Sequence, residues 1–140
     1  MNINKFTTKS QEAVQQAQLI TQSNGHQLIE NEHLIKAIFE VDENVAPFIL
    51  KKLQVNTTLF NQIVDSILQG FPKVSGAQIA LSREANNTLN EAEILAQKMG
   101  DDYVSIEHLL LAIFNSKSKV SQVLKDQGVT KKDLITAIEE

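Results

Sequence analysis

Residues 107–114 read Glu-His-Leu-Leu-Leu-Ala-Ile-Phe, and residues 32–39 read Glu-His-Leu-Ile-Lys-Ala-Ile-Phe. The two octapeptides are near-copies placed 75 positions apart. Working outward, residues 6–39 lie over 81–114 without a gap. Ala17/Ala92, Gln22/Gln97 and Gly25/Gly100 then join the matched pairs, and Phe6/Leu81, Val14/Leu89, Ile20/Leu95 and Ile29/Val104 keep their character. The match resumes at a shift of 74 with Leu50/Leu124, Val55/Val129 and Phe60/Leu134. The chain is therefore a duplicated unit of roughly 65 residues, the kind of self-similarity that decides a fold before any local reading does.

Each unit reads as helices. Leu81, Ala85, Leu89, Ala92, Ala96 and Met99 recur at steps of three and four, which is one face of an α-helix. Ser82 is placed to cap that helix and Gly100 to end it in the left-handed conformation. In the first unit Thr7 or Thr8 caps, Ser10, Val14, Ala17, Ile20 and Thr21 form the stripe, and Gly25 stops the helix. Short extended pieces follow at Leu28-Ile29 and Tyr103-Val104. Second helices span about 31–41 and 105–115, with Ser105 a good N-cap and Glu30 a poor one. Both are apolar on most faces, which puts them in the middle of the molecule, packed on each other across a pseudo-twofold axis. Third helices run near 44–53 and 118–127. Fourth helices follow the caps Asn56 and Thr130. The expected fold is all-α: eight helices in two pseudo-twofold four-helix units, 1–69 and 81–140, forming one domain over 1–140. Residues 70–80, rich in Gly, Pro and Ser, read as the connection.

Composition narrows function mainly by exclusion. The 140 residues contain no cysteine and no tryptophan, so a disulfide framework or a cysteine-based zinc site is ruled out. The formal charge of −4 is dispersed and offers neither a basic stripe for nucleic acid nor a polybasic patch for lipid. The N-terminus has no apolar signal core, and the run Leu109–Phe114 is far short of the ~20 residues of a membrane span. The expectation is a cytoplasmic chain that binds no membrane and no nucleic acid. There is no nucleophile elbow, no phosphate cradle and no His-Glu-x-x-His motif, so the chain reads as a binding module with no catalytic residues and no cofactor.

The Glu32-His33 and Glu107-His108 pairs invite a metal reading. The reading adopted is that each Glu meets the positive end of a helix and each His packs and hydrogen-bonds at the interface of the units. Asp101, Asp102 and Glu107 make a local acidic cluster, either a solvated loop or a polar rim. Lys51-Lys52 and Lys131-Lys132 read as solvated charge pairs. Leu95 and Ile106 are apolar side chains in excess of the stripe. They suggest a shallow groove beside helix 82–99.

Phe6-Thr7, Glu32-His33-Leu34 and Glu107-His108-Leu109-Leu110-Leu111 make the chain resemble the duplicated N-terminal domain of the Clp ATPases, the Clp repeat domain. Residues 41–48 and 71–76 are similar to the ClpB-type branch, the disaggregase chaperones. The resemblance covers all 140 residues. It implies a substrate-recruiting domain on a hexameric parent, in which ATP and Mg act in rings that this chain does not contain. Such a parent extracts unfolded or aggregated polypeptides together with the DnaK chaperone system. Carried onto this sequence, the family's substrate-binding positions are Thr7, Leu89, Asp101 and Glu107, with Glu32 secondary. His108 stands where some relatives have a groove leucine. In the ClpC branch the equivalents of Glu32 and Glu107 bind phosphoarginine, so docking of adaptors or marked substrates for a protease-coupled ClpA or ClpC unfoldase is the alternative.

Overall fold

The computed structural model describes residues 2–76 and 78–140. A single 3-10 turn, Ile3–Lys5, leads into α1 (Thr8–Ser23), β1 (Leu28–Ile29), α2 (Asn31–Val41), α3 (Val45–Lys52) and α4 (Thr57–Gln69). After the connection come β2 (Ala80–Leu81), α5 (Arg83–Lys98), α6 (Ile106–Asn115), α7 (Lys119–Asp126) and α8 (Lys131–Glu139). The fold is all-α, with eight α-helices among the described residues.

The caps explain where the helices begin. Thr7 Oγ1 accepts the Ser10 N–H, and its counterpart Ser82 Oγ accepts the Ala85 N–H. Asn56 and Thr130 cap α4 and α8 in the same way. Gly25 and Gly100 end α1 and α5 at φ +70° and +76°, where a side chain would be strained. The two central helices solve their starts with a histidine. His33 Nδ1 accepts the Glu30 N–H and His108 Nδ1 accepts the Ser105 N–H, each at 2.9 Å. Each His thus stands where a capping box ordinarily has Glu or Gln. That is why Glu30, a poor cap by type, still starts a helix.

The halves interlock. β1 pairs in parallel with β2, Ile29 opposite Leu81, and Phe6 pairs in parallel with Val104. These are one pairing seen twice, because 29 and 104, and 6 and 81, are equivalent positions in the repeat. Each half therefore supplies the extended segment that pairs with the residues leading the other half into its first helix. α2 lies against α6, and one contiguous apolar cluster runs through both halves. Ala13 is buried where the stripe assigned Val14, which is only partly buried. Ile106, which the stripe leaves in excess, is also core.

The connection is not a free loop. The Phe71 ring packs edge-on against His26, centroids 5.6 Å apart, and lies 5.7 Å from His33. The Val74 N–H donates to the Gly25 carbonyl at 2.8 Å. The segment is strapped across the first half.

Candidate polypeptide-binding face

Residues 99–105 turn from α5 into α6, and residues 5–7, which lead into α1, run beside them. The Thr7 N–H donates to the Val104 carbonyl and the Val104 N–H to the Lys5 carbonyl. The Thr7 hydroxyl is committed locally: it takes the Ser10 N–H and donates to Ser10 Oγ. Asp101 Oδ2 lies 2.8 Å from His108 Nε2. His108 Nδ1 already accepts a backbone N–H, so the ring proton of a neutral His108 sits on Nε2 and points at the carboxylate. Asp101 itself is exposed, as are Asp102 and Tyr103, the last at 57 %.

Glu107, in the first turn of α6, is half-buried and faces a groove between α3 and the end of α8. This groove, about 580 Å³, is lined by Val45, Pro47, Phe48 and Ile138, with Glu43, Lys51, Glu107 and Glu140 among its charged residues, Glu140 being paired with Lys52. Phe48 is 63 % exposed, the most exposed large apolar side chain among the described residues. An apolar floor of this kind, with Phe48 exposed on it, suits a polypeptide that carries apolar side chains.

The equivalent face of the first half is built differently. Glu32 is 4 % exposed, and its Oε2 accepts the Val120 N–H at the start of α7, 88 residues away. Burial pushes the Glu32 carboxyl upward, and the backbone N–H bonds oppose that push. Glu107 has no such task because α3 is capped from within: Asp42 accepts the N–H groups of Asn44, Val45 and Ala46. The second half has no carboxylate between Asn115 and Lys119, so the far glutamate does that work. His26 occupies the place of Asp101 and bonds His33 across 2.8 Å. Burial, then His26, holds His33 down to about 4; burial, then Lys73, lowers His26.

A family model described as the Clp repeat (R) N-terminal domain matches residues 5–127. The chain belongs to the Clp repeat N-terminal domain family. It is 48 % identical over 140 residues to the chaperone protein ClpB of Bacteroides thetaiotaomicron, covering all of this chain and 16 % of that one. The chain thus spans about a sixth of the length of the curated relatives it matches. Its fold is that of the Hsp104 N-terminal domain from Candida albicans, with a TM-score of 0.85, 20 % identity, and coverage of 97 % of this chain and 90 % of that one. It is also that of a ClpV N-domain in complex with a VipB peptide, with a TM-score of 0.79, 18 % identity, and coverage of 94 % and 83 %.

Of the positions that the Clp repeat resemblance singles out, Thr7 pairs with Val104 beside the turn that holds Asp101, while Glu107 lines the groove between α3 and α8. Leu89 does not join them. It is 0 % exposed, on the α5 stripe with Ala85, Ala92 and Ala96, and the periodicity that makes the helix is what turns it into the core. Glu32 is likewise withdrawn from the surface by its bond to α7. Both ring nitrogens of His33 and of His108 are engaged in hydrogen bonds, which leaves neither imidazole a free lone pair for a metal. Phe48 and Tyr103 were not singled out by the sequence. Phe48's only signal was its place in a ClpB-like stretch, since a Phe on an amphipathic helix ordinarily reads as core.

Proposed function

We propose that this chain is the substrate-recruiting N-terminal domain of a ClpB-type disaggregase. It binds exposed apolar segments of unfolded or aggregated polypeptides and passes them to the ATPase rings of a hexameric parent. That parent uses ATP and Mg and works with the DnaK system in the cytoplasm. The observation that carries the reading is the exposed Phe48 in an apolar groove that Glu43 and Glu107 also line. The peptide-bound ClpV N-domain supports it by showing that a relative of the same fold takes a peptide. Affinity at one domain is weak, because a small groove buries little area while the client loses conformational freedom. Six domains on one parent would recover strength through multivalency. Symmetric phosphoarginine capture by Glu32 and Glu107 is disfavoured, since Glu32 is buried and bonded.

The test is an amide NMR titration of the chain with reduced casein, an unfolded client that stays in solution. Shifts cluster at Val45–Lys51, Glu107 and the 101–104 turn, and F48A weakens binding severalfold without loss of fold. No shift at saturating casein, together with tight one-to-one binding of a folded adaptor, would move the function to adaptor docking.

A further inference from the structure

The strap at residues 71–74 is seated on two histidines that can hold their mutual bond in one protonation state only. His33 Nδ1 accepts the Glu30 N–H at 2.9 Å, so the proton of a neutral His33 is on Nε2. That Nε2–H donates across 2.8 Å to His26 Nδ1. The proton of a neutral His26 is therefore on Nε2, which is buried and has no protein acceptor among the described residues. Both remaining lone pairs are already accepting. An added proton must go to His33 Nδ1, against the Glu30 N–H, or to His26 Nδ1, against the His33 N–H. Either places two hydrogens in one gap, and the bond across it is lost.

The strap lies on this pair. Phe71 packs edge-on against His26 and stands 5.7 Å from His33. The Val74 N–H donates to the carbonyl of Gly25, one residue before His26. Leu28, Phe71, Pro72 and Val74 line a cavity of about 150 Å³ together with His26 and Glu30. The charged groups around the pair come from three segments. The strap brings Lys73, the head of α2 brings Glu30, and α7 brings Lys119, whose Nζ stands 6.0 Å from the Phe71 ring. The last turn of α1 carries no charged residue. Lys73 opposes a charge on His26, and a strap that lifts carries that opposition away with it. Proton uptake and strap release therefore favour each other. The strand pairings between the halves and the bond from Glu32 to α7 do not pass through the strap, so the rest of the fold keeps its ties.

We infer that residues 71–74 are an acid-released latch: protonation of the His26–His33 pair turns His26 out from under Phe71 and frees the strap while the rest of the fold stands. Release bares Phe71 and opens the small cavity beside Leu28 into an apolar surface.

The experiment is amide hydrogen exchange of the chain, followed by NMR as pH is lowered from about 7 to about 5. The Val74 N–H is expected to lose protection by about tenfold or more over that range, because the freed histidine takes up its proton near the ordinary value of 6.5. Its protection stays below that of the buried α6 amides and does not respond to small additions of urea, as befits an opening smaller than unfolding. The H26N/H33Q chain can make the same two bonds with nothing to titrate, and there Val74 protection stays level. Val74 protection that is independent of pH, that is absent at neutral pH, or that equals that of the α6 amides throughout overturns the inference. So does an equal fall in the H26N/H33Q chain. Ring-nitrogen NMR of the unmodified chain checks the premise without any variant: both histidines carry their proton on Nε2 at neutral pH, and a proton on Nδ1 of either overturns the latch.

Discussion

The two halves make one hydrogen bond with different chemistry. In both, a histidine at the third position of the central helix caps that helix with Nδ1 and reaches out with Nε2 across 2.8 Å. The first half answers with His26, buried against Phe71; the second answers with Asp101, which is exposed. The glutamates divide in the same way, Glu32 tied to α7 and Glu107 facing a groove. The scaffold is common to both halves, and the difference in role follows from a few positions where partner residues diverged. A binding function is therefore to be sought where the halves disagree.

The largest effect that sharpens this contrast separates core from face. L89A removes a side chain with no exposure and should cost about 2–5 kcal/mol in chemical denaturation, while V14A at the equivalent, partly buried position should cost about 1 kcal/mol. If L89A keeps full stability and loses casein binding, Leu89 is a groove residue after all.

Next in size is acid sensitivity. His33 is held to about 4 in the fold against an ordinary 6.5, so in acid the unfolded chain takes a proton that the folded chain refuses. The stability this pair contributes is complete above pH 6.5 and lost as pH falls from 6.5 toward 4, on the order of 3 kcal/mol for His33. Glu32, raised by burial, takes its proton more readily when folded and offsets part of the loss at the acid end. H26D makes the first half resemble the second, and the decline measured by denaturation across that window becomes shallower. A decline of unchanged depth assigns it elsewhere.

The smallest effect concerns the glutamates. E32A leaves the Val120 N–H buried without its acceptor and costs about 2 kcal/mol, whereas E107A stays within about 0.5 kcal/mol and weakens casein binding instead. Equal destabilisation by the two substitutions would erase the asymmetry between the halves.

Much of this fold is legible in sequence because its signals are local. The duplication, the three- and four-residue stripes, the Thr7, Ser82, Asn56 and Thr130 caps and the Gly25 and Gly100 stops all act within one or two turns of chain. The candidate face is less legible because exposure depends on distant partners. Glu32 and Glu107 look alike until Asp42 is seen to satisfy α3, whereas α7, capped by Ser118, takes a further acceptor for the Val120 N–H from Glu32 of the other half. Residues 70–80 have the composition of a loop, and nothing in that composition says that Phe71 will seat on two histidines. Leu89 shows the reverse error: its position in the periodic stripe already placed it in the core, and the family resemblance pointed the other way.

The reciprocal strand pairing has one more consequence. Ile29 meets Leu81 and Phe6 meets Val104, so position i of one half touches j of the other while j touches i. That is the geometry of an isologous contact, the kind that joins two identical subunits about a twofold axis. In a true homodimer every substitution lands on both sides of the axis at once. Two copies on one polypeptide are released from that rule, so His26 can stand in one half where Asp101 stands in the other, and each flank can be altered alone.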